Sequence, residues 1–111
     1  MSDTVDLGAL DALAAQIGEA ETLEVVRLFV QAAPQRDAAL AVSQPDQVAR
    51  AAHTVRSGAR LVGAAALAES TGRLQQSAEA GAADWQQQRD RLREQLAAVV
   101  HELEGWLTTR G

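Results

Sequence analysis

The last quarter of this chain carries Leu92, Leu96, Val99, Leu103 and Trp106, apolar residues spaced alternately four and three positions apart. That spacing returns to one side of an α-helix and to no single face of a strand, so the segment must be an amphipathic helix packed on other helices. The same period recurs upstream. Leu7, Leu10, Leu13 and Ile17 mark a short helix from Asp6 to Ile17, ended by Gly18. A second segment, Thr22 to Val42, is dense in Leu23, Val26, Leu28, Phe29, Val30 and Leu40. Pro34 lies inside it and is expected to kink it or split it in two. Ser43-Gln44-Pro45-Asp46 reads as a turn, with Pro45 or Asp46 opening a third helix that reaches Val62. Gly63 interrupts there. A fourth helix from Ala64 or Ala65 turns Leu67 and Leu74 inward and stops near Gly81, and a fifth runs from Asp84, as N-cap, to Leu107.

Alanine, leucine and valine supply most of the apolar residues, with one Phe and no Tyr. Such side chains suit close-packed helices better than a sheet. The expected architecture is all-α: an antiparallel up-and-down four-helix bundle with a short additional N-terminal helix, one domain over residues 1–111. The absence of cysteine excludes disulfides, thiol catalysis and thiolate metal sites. Leu7 to Ile17 is broken by Asp11 and Gln16 and lacks signal-peptide character, and no apolar run approaches membrane-spanning length. A cytoplasmic protein with no membrane partner is expected.

A formal net charge of −5 argues against nucleic acid as a partner. The charge is uneven, however. No acidic residue falls between Asp46 and Glu69, while Arg50, Arg56 and Arg60 all do. That helix can offer a basic face to an anion or an acidic protein.

His53 lies on this basic helix. The stripe Val48, Ala52, Val55, Ala59 and Val62 faces inward, and at about 100° per residue His53 stands roughly 160° from Val55, facing out. Arg56 and Arg60 follow at three and seven positions, on the same outward side. An imidazole with a pKa near 6.5 is a competent neutral nucleophile at cellular pH. Guanidinium groups beside it can neutralise a phosphoryl group while it is held. Small residues one turn away, Ser57 on one side and Ala49 on the other, leave room for a partner to approach. No carboxylate cluster in the sequence marks a metal site, so a divalent ion is expected to come from the partner. No phosphate-cradling glycine loop is present, so neither ATP binding nor self-phosphorylation is expected, and no cofactor.

His101 makes an internal control. It too points away from its apolar stripe, but its surroundings include Glu94, Glu102 and Glu104, which would repel phosphate. Trp85 and Trp106 read as packing residues at the bundle ends. Paired carboxylates such as Glu102 and Glu104 have no partner that would make them an acid–base pair.

The segment His53, Val55, Arg56, then small Ser57, Gly58 and Ala59, then Val62-Gly63-Ala64, resembles the motif of the histidine-containing phosphotransfer (HPt) domain family. Leu67 and Leu74 stand where that family's next helix has its leucines, and Ala33-Pro34 matches its interrupted second helix. Ser57 replaces the usual Gly, Arg56 the commoner Lys, and Gln75 a frequent acidic residue. The resemblance implies a phosphorelay intermediate: His53 accepts a phosphoryl group from a receiver-domain aspartate of a response regulator or hybrid kinase and passes it to another receiver. It implies a phosphocarrier and not an autophosphorylating enzyme. Arg56 and Arg60 are then the phosphate-supporting residues, Ser57, Gly58 and Ala49 the residues of partner access, and Leu10 and Phe29 candidates for docking. Two other readings remain. A binding-only HPt-like module could sequester a response regulator, and His53-Thr54-Val55-Arg56-Ser57 also resembles the acceptor box of a histidine-kinase dimerisation domain. Four full helices closing a bundle within one chain predict a monomer, which weighs against the latter.

Overall fold

The computed structural model describes residues 5–110 and contains five α-helices and, among the described residues, no strand. These are α1 (Leu7–Ile17), α2 (Glu19–Leu40), α3 (Pro45–Leu61), α4 (Ala65–Ala80) and α5 (Trp85–Arg110). α2 packs on α3 and α5, and α4 packs on α3 and α5, so the four long helices close a ring of sequential antiparallel neighbours. α1 lies against α2. The expected four-helix bundle with a short leading helix is the architecture observed.

Local chemistry sets the helix ends. The Asp6 carboxylate accepts from the Ala9 amide at 3.3 Å and caps α1. Gly18, at φ +97°, is the one residue between α1 and α2, and its carbonyl accepts from the buried Thr22 hydroxyl at 2.8 Å. α2 therefore begins at Glu19, a turn earlier than Thr22, with Glu19 and Glu21 beside the positive end of its dipole. Pro45 stands at the start of α3, where its missing N–H costs nothing. α3 and α4 both end in Schellman motifs. Gly63 (φ +78°) carries the first, with Ala64 N–H donating to the Ala59 carbonyl at 2.8 Å. Gly81 (φ +68°) carries the second, with Ala82 N–H donating to Ser77 at 2.9 Å. At Gly63 a side chain is excluded twice over, because an added Cβ would also stand 2.9 Å from the Asp6 carbonyl oxygen.

Pro34 does not split α2, which continues unbroken to Leu40. The proline faces solvent, while Ala33 and Leu40 on either side are buried. Burial of that face and the ion pair that follows it outweigh the lost backbone bond. That pair is two-pronged: Arg93 on α5 donates from Nε and Nη2 to Asp37 on α2 at 2.8 and 3.1 Å. Its hydrogen bonds hold the Asp37 carboxyl below its usual range against the opposing effect of burial, and Asp37 in turn raises the Arg93 guanidinium.

The core is one contiguous cluster in which Leu10, Val26, Leu40, Val48, Val55, Val62, Leu74 and Leu103 are buried, along with the stripe of α5. Leu10 is 0 % exposed, so it cannot offer a docking surface. Helix α1 turns its one central leucine into the bundle, and the ends of the helix are tied down around it. The Asp6 amide donates to the Gly63 carbonyl at 2.9 Å, and Arg110 bonds Asp11 at 2.9 Å and approaches Glu19 at 3.5 Å. Arg110 also covers the Trp106 ring at 5.0 Å, as Arg89 covers Trp85 at 5.5 Å. Both indoles pack at the bundle ends beneath these arginines.

Candidate functional site

Helix α3 presents an inner and an outer face. Val48, Ala52, Val55 and Ala59 enter the core, and His53, Thr54, Ser57 and Arg60 are exposed. Between these faces, one flank meets α4 and the other meets α2.

On the α4 flank, a shallow depression is lined by Asp46, Ala49, Arg50, His53, Gln75 and Glu79, among others. The imidazole shares this depression with Ala49 and Arg50, one turn before it, and with Thr54, but not with Arg56 or Ser57, the residues one turn after it. Ala49 is itself buried, in the seam with α4. Its methyl group floors the depression, and it acts by being short and not by being reached. Arg50 donates to Asp46 at 3.3 Å, and the Thr54 hydroxyl donates to the Arg50 carbonyl at 3.2 Å.

Arg56 departs from the outward placement expected of it. It is half-buried, with its guanidinium carbon 3.7 Å from where a Cβ on Gly72 of α4 would stand. Its Nε is buried with no hydrogen-bond partner. Arg56 lies at the edge of the α3–α4 seam, and the bare backbone of Gly72 opens a place for its side chain. Arg60 is fully outward, one turn further on. Neither residue lines the depression beside the imidazole.

The α2 flank is apolar. Val25, Leu28, Phe29 and Arg36 of α2 face Thr54, Ser57, Gly58 and Leu61 of α3 across a groove. Leu28 and Leu61 are large hydrophobic residues left 55 % and 51 % exposed. Gly58 serves packing here and not partner access: an added Cβ would meet the Phe29 ring at 2.9 Å. Phe29 is correspondingly half-buried, with its ring laid over the glycine. Ser57 is exposed and lines this groove. The sequence signal for Leu28 and Leu61 was their position off the apolar stripes. The signal for Arg50 was its place three residues before the histidine.

His101 is exposed on α5 with Glu104 three residues on. Among the described residues no group of three or more His, Cys, Asp or Glu side chains is placed to hold a metal ion. No described helix is long and apolar enough to cross a membrane.

No curated protein and no solved structure matches the chain. A family model, that of the Hpt domain, matches residues 24–106, from the first turns of α2 to Trp106 of α5, and so takes in all of α3 with both of its flanks. That span takes in well over half of the chain, and it contains the exposed His53, the glycine that closes its helix and all four helices of the ring: the chain belongs to the Hpt domain family, the histidine phosphotransfer modules of phosphorelays.

Proposed function

We propose that His53 is the phosphoacceptor of this Hpt domain and carries a phosphoryl group reversibly between receiver-domain aspartates. One observation carries the reading: the imidazole stands exposed at mid-helix on the outward face of α3, inside the matched span, where a partner's active site can close over it. His101 is exposed within the same span, but its neighbours one turn away on the helix are Ala97, Ala98, Glu104 and Gly105, none of them basic.

In the forward step, the lone pair of one ring nitrogen (Nε2, the atom the family resemblance favours) attacks the phosphorus of the receiver's acyl phosphate. The N–P bond forms as the bond from phosphorus to the aspartyl oxygen breaks, and its electrons leave with the carboxylate. The other ring nitrogen keeps its proton. The reverse step returns the group to a second receiver. Such transfer depends mainly on positioning and charge. This chain supplies the nucleophile and cations around it, Arg56 and Arg60 among them, and the receiver supplies its own divalent ion. Hpt domains are phosphocarrier modules that interact with receiver domains of response regulators and kinases.

The apolar α2–α3 groove is the docking surface in this reading. Exposed leucines rimmed by Arg36 and Ser57 suit the apolar-centred, polar-rimmed surface of a protein partner. Phe29 contributes from beneath, as the ring that shapes the groove. The protein acts as a single domain and a monomer in the cytoplasm, where its receivers are.

A receiver domain charged by a small phosphodonor tests this. Acid-labile, base-stable label should move to the wild-type protein and not to His53→Gln. Transfer that survives this substitution would refute the assignment.

A further inference from the structure

We propose that Arg50 is the exchangeable ligand of the phosphoryl group on His53: Asp46 holds it while the imidazole is bare, and it moves to the phosphate once the group arrives. The proposal rests on the phosphoacceptor reading of His53.

The imidazole, Arg50 and Asp46 line one depression. Arg50 is the arginine that shares this depression with the imidazole, and neither Arg56 nor Arg60 lines it. Its present contact is a single 3.3 Å bond between side chains that are 77 % and 73 % exposed. Ion pairs of that kind are weak, because water competes for both partners and both side chains must be ordered. A phosphoryl group near neutral pH carries close to two negative charges and three acceptor oxygens, against the single charge of Asp46, so it competes well for the guanidinium.

Arg56 cannot make the same exchange as freely. Its Nε is already buried against α4, with no acceptor to trade. The depression also contains two carboxylates, Asp46 and Glu79, and a neutral Gln75. Within this depression Arg50 is the cation that can offset both carboxylates when phosphate is on His53. The Asp46–Arg50 pair thus keeps a counter-charge stored beside the nucleophile while the site is empty.

The test uses phosphoramidate, which phosphorylates histidine directly and so removes the receiver from the measurement. Wild type, Arg50→Ala, Arg50→Lys, Asp46→Asn and His53→Gln are each treated, and the loss of phosphohistidine is then followed at neutral pH and low salt. Pairing of the phosphoryl group with a cation disfavours protonation of the ring, the form from which the N–P bond breaks. Arg50→Ala should therefore lose the group about fivefold faster, and Asp46→Asn, which frees the arginine, about twofold slower. Arg50→Lys should recover part of the difference. At about 1 M salt the gap between wild type and Arg50→Ala should close. A merely structural role would give neither the opposite signs nor the salt dependence. Equal lifetimes in wild type and Arg50→Ala would overturn the assignment of Arg50, and an effect of Arg50→Ala with none of Asp46→Asn would overturn the exchange. If wild type takes up no more phosphoryl than His53→Gln, the phosphoacceptor reading itself falls, and this proposal with it.

Discussion

The two flanks of α3 are built from the same helix and do opposite things. Toward α2, Leu28 and Leu61 remain half exposed over Phe29 and Gly58, with little charge except Arg36 at the edge. Toward α4, the lining is Asp46, Arg50, Gln75 and Glu79, and Arg56 spans the seam against Gly72. Apolar surface left in water is the usual signature of a place another protein covers. Loosely paired charges over a reactive side chain suit a group that arrives and leaves. In the proposed reading, one helix separates recognition from chemistry by a rotation of about a quarter-turn, with His53 on the α4 side and Thr54 lining both.

Two exposed leucines give the strongest way to break this division. In Leu28→Asp/Leu61→Asp, receiver-mediated transfer should fall at least tenfold at limiting receiver concentration, while direct labelling by phosphoramidate stays as in wild type. A proportional loss of both would mean that the flanks are not separable. Arg56→Met sharpens the other side. It keeps the aliphatic packing over Gly72 but removes the charge, and transfer should slow about three- to tenfold with helicity unchanged. Unfolding of this variant would show that the guanidinium is structural.

The Asp37–Arg93 pair, away from either flank, sets the scale of a purely structural effect. Its carboxyl is lower in the folded state than its ordinary value of 3.8, so the pair stabilises the fold fully above that value and the contribution fades as pH falls through the lower folded one. Side chains 38 % and 41 % exposed confine it to about 0.5–1 kcal/mol. Asp37→Asn should lower neutral-pH stability by that amount in denaturant titrations and match wild type only below pH 3.8, with transfer unaffected throughout. A difference that persisted in acid would place the effect in packing and not in charge.

Much of this was legible in the residues. Four-three stripes located the third and fifth helices, apolar spacing and density the other three, the glycines at 63 and 81 two of the breaks, and the angle between His53 and Val55 put the imidazole outside. Three features were not legible, each because it depends on a neighbour in space. The side chain of Leu10 is buried because α1 is latched at Gly63 and Arg110, contacts that lie 53 and 100 positions further along the chain. Arg56 turns to α4 because residue 72 happens to be glycine at the crossing point. Gly58 is closed to a partner by the Phe29 ring, which only the fold brings over it. Arg50 was visible as part of a basic helix, yet counting along the helix alone favoured the arginines after the histidine. The depression that Arg50 shares with His53 is formed with Gln75 and Glu79 of α4, and so depends on a neighbour in space.

The central claim is that the chain stores a phosphoryl group on one ring. The most direct measurement is intact-mass and peptide-level mapping of the protein after incubation with a charged receiver, before and after brief acid treatment. A single acid-labile phosphoryl adduct located on the peptide containing His53 is the predicted result. An adduct on His101, or one on Ser57 or Thr54 that withstands acid, would contradict it.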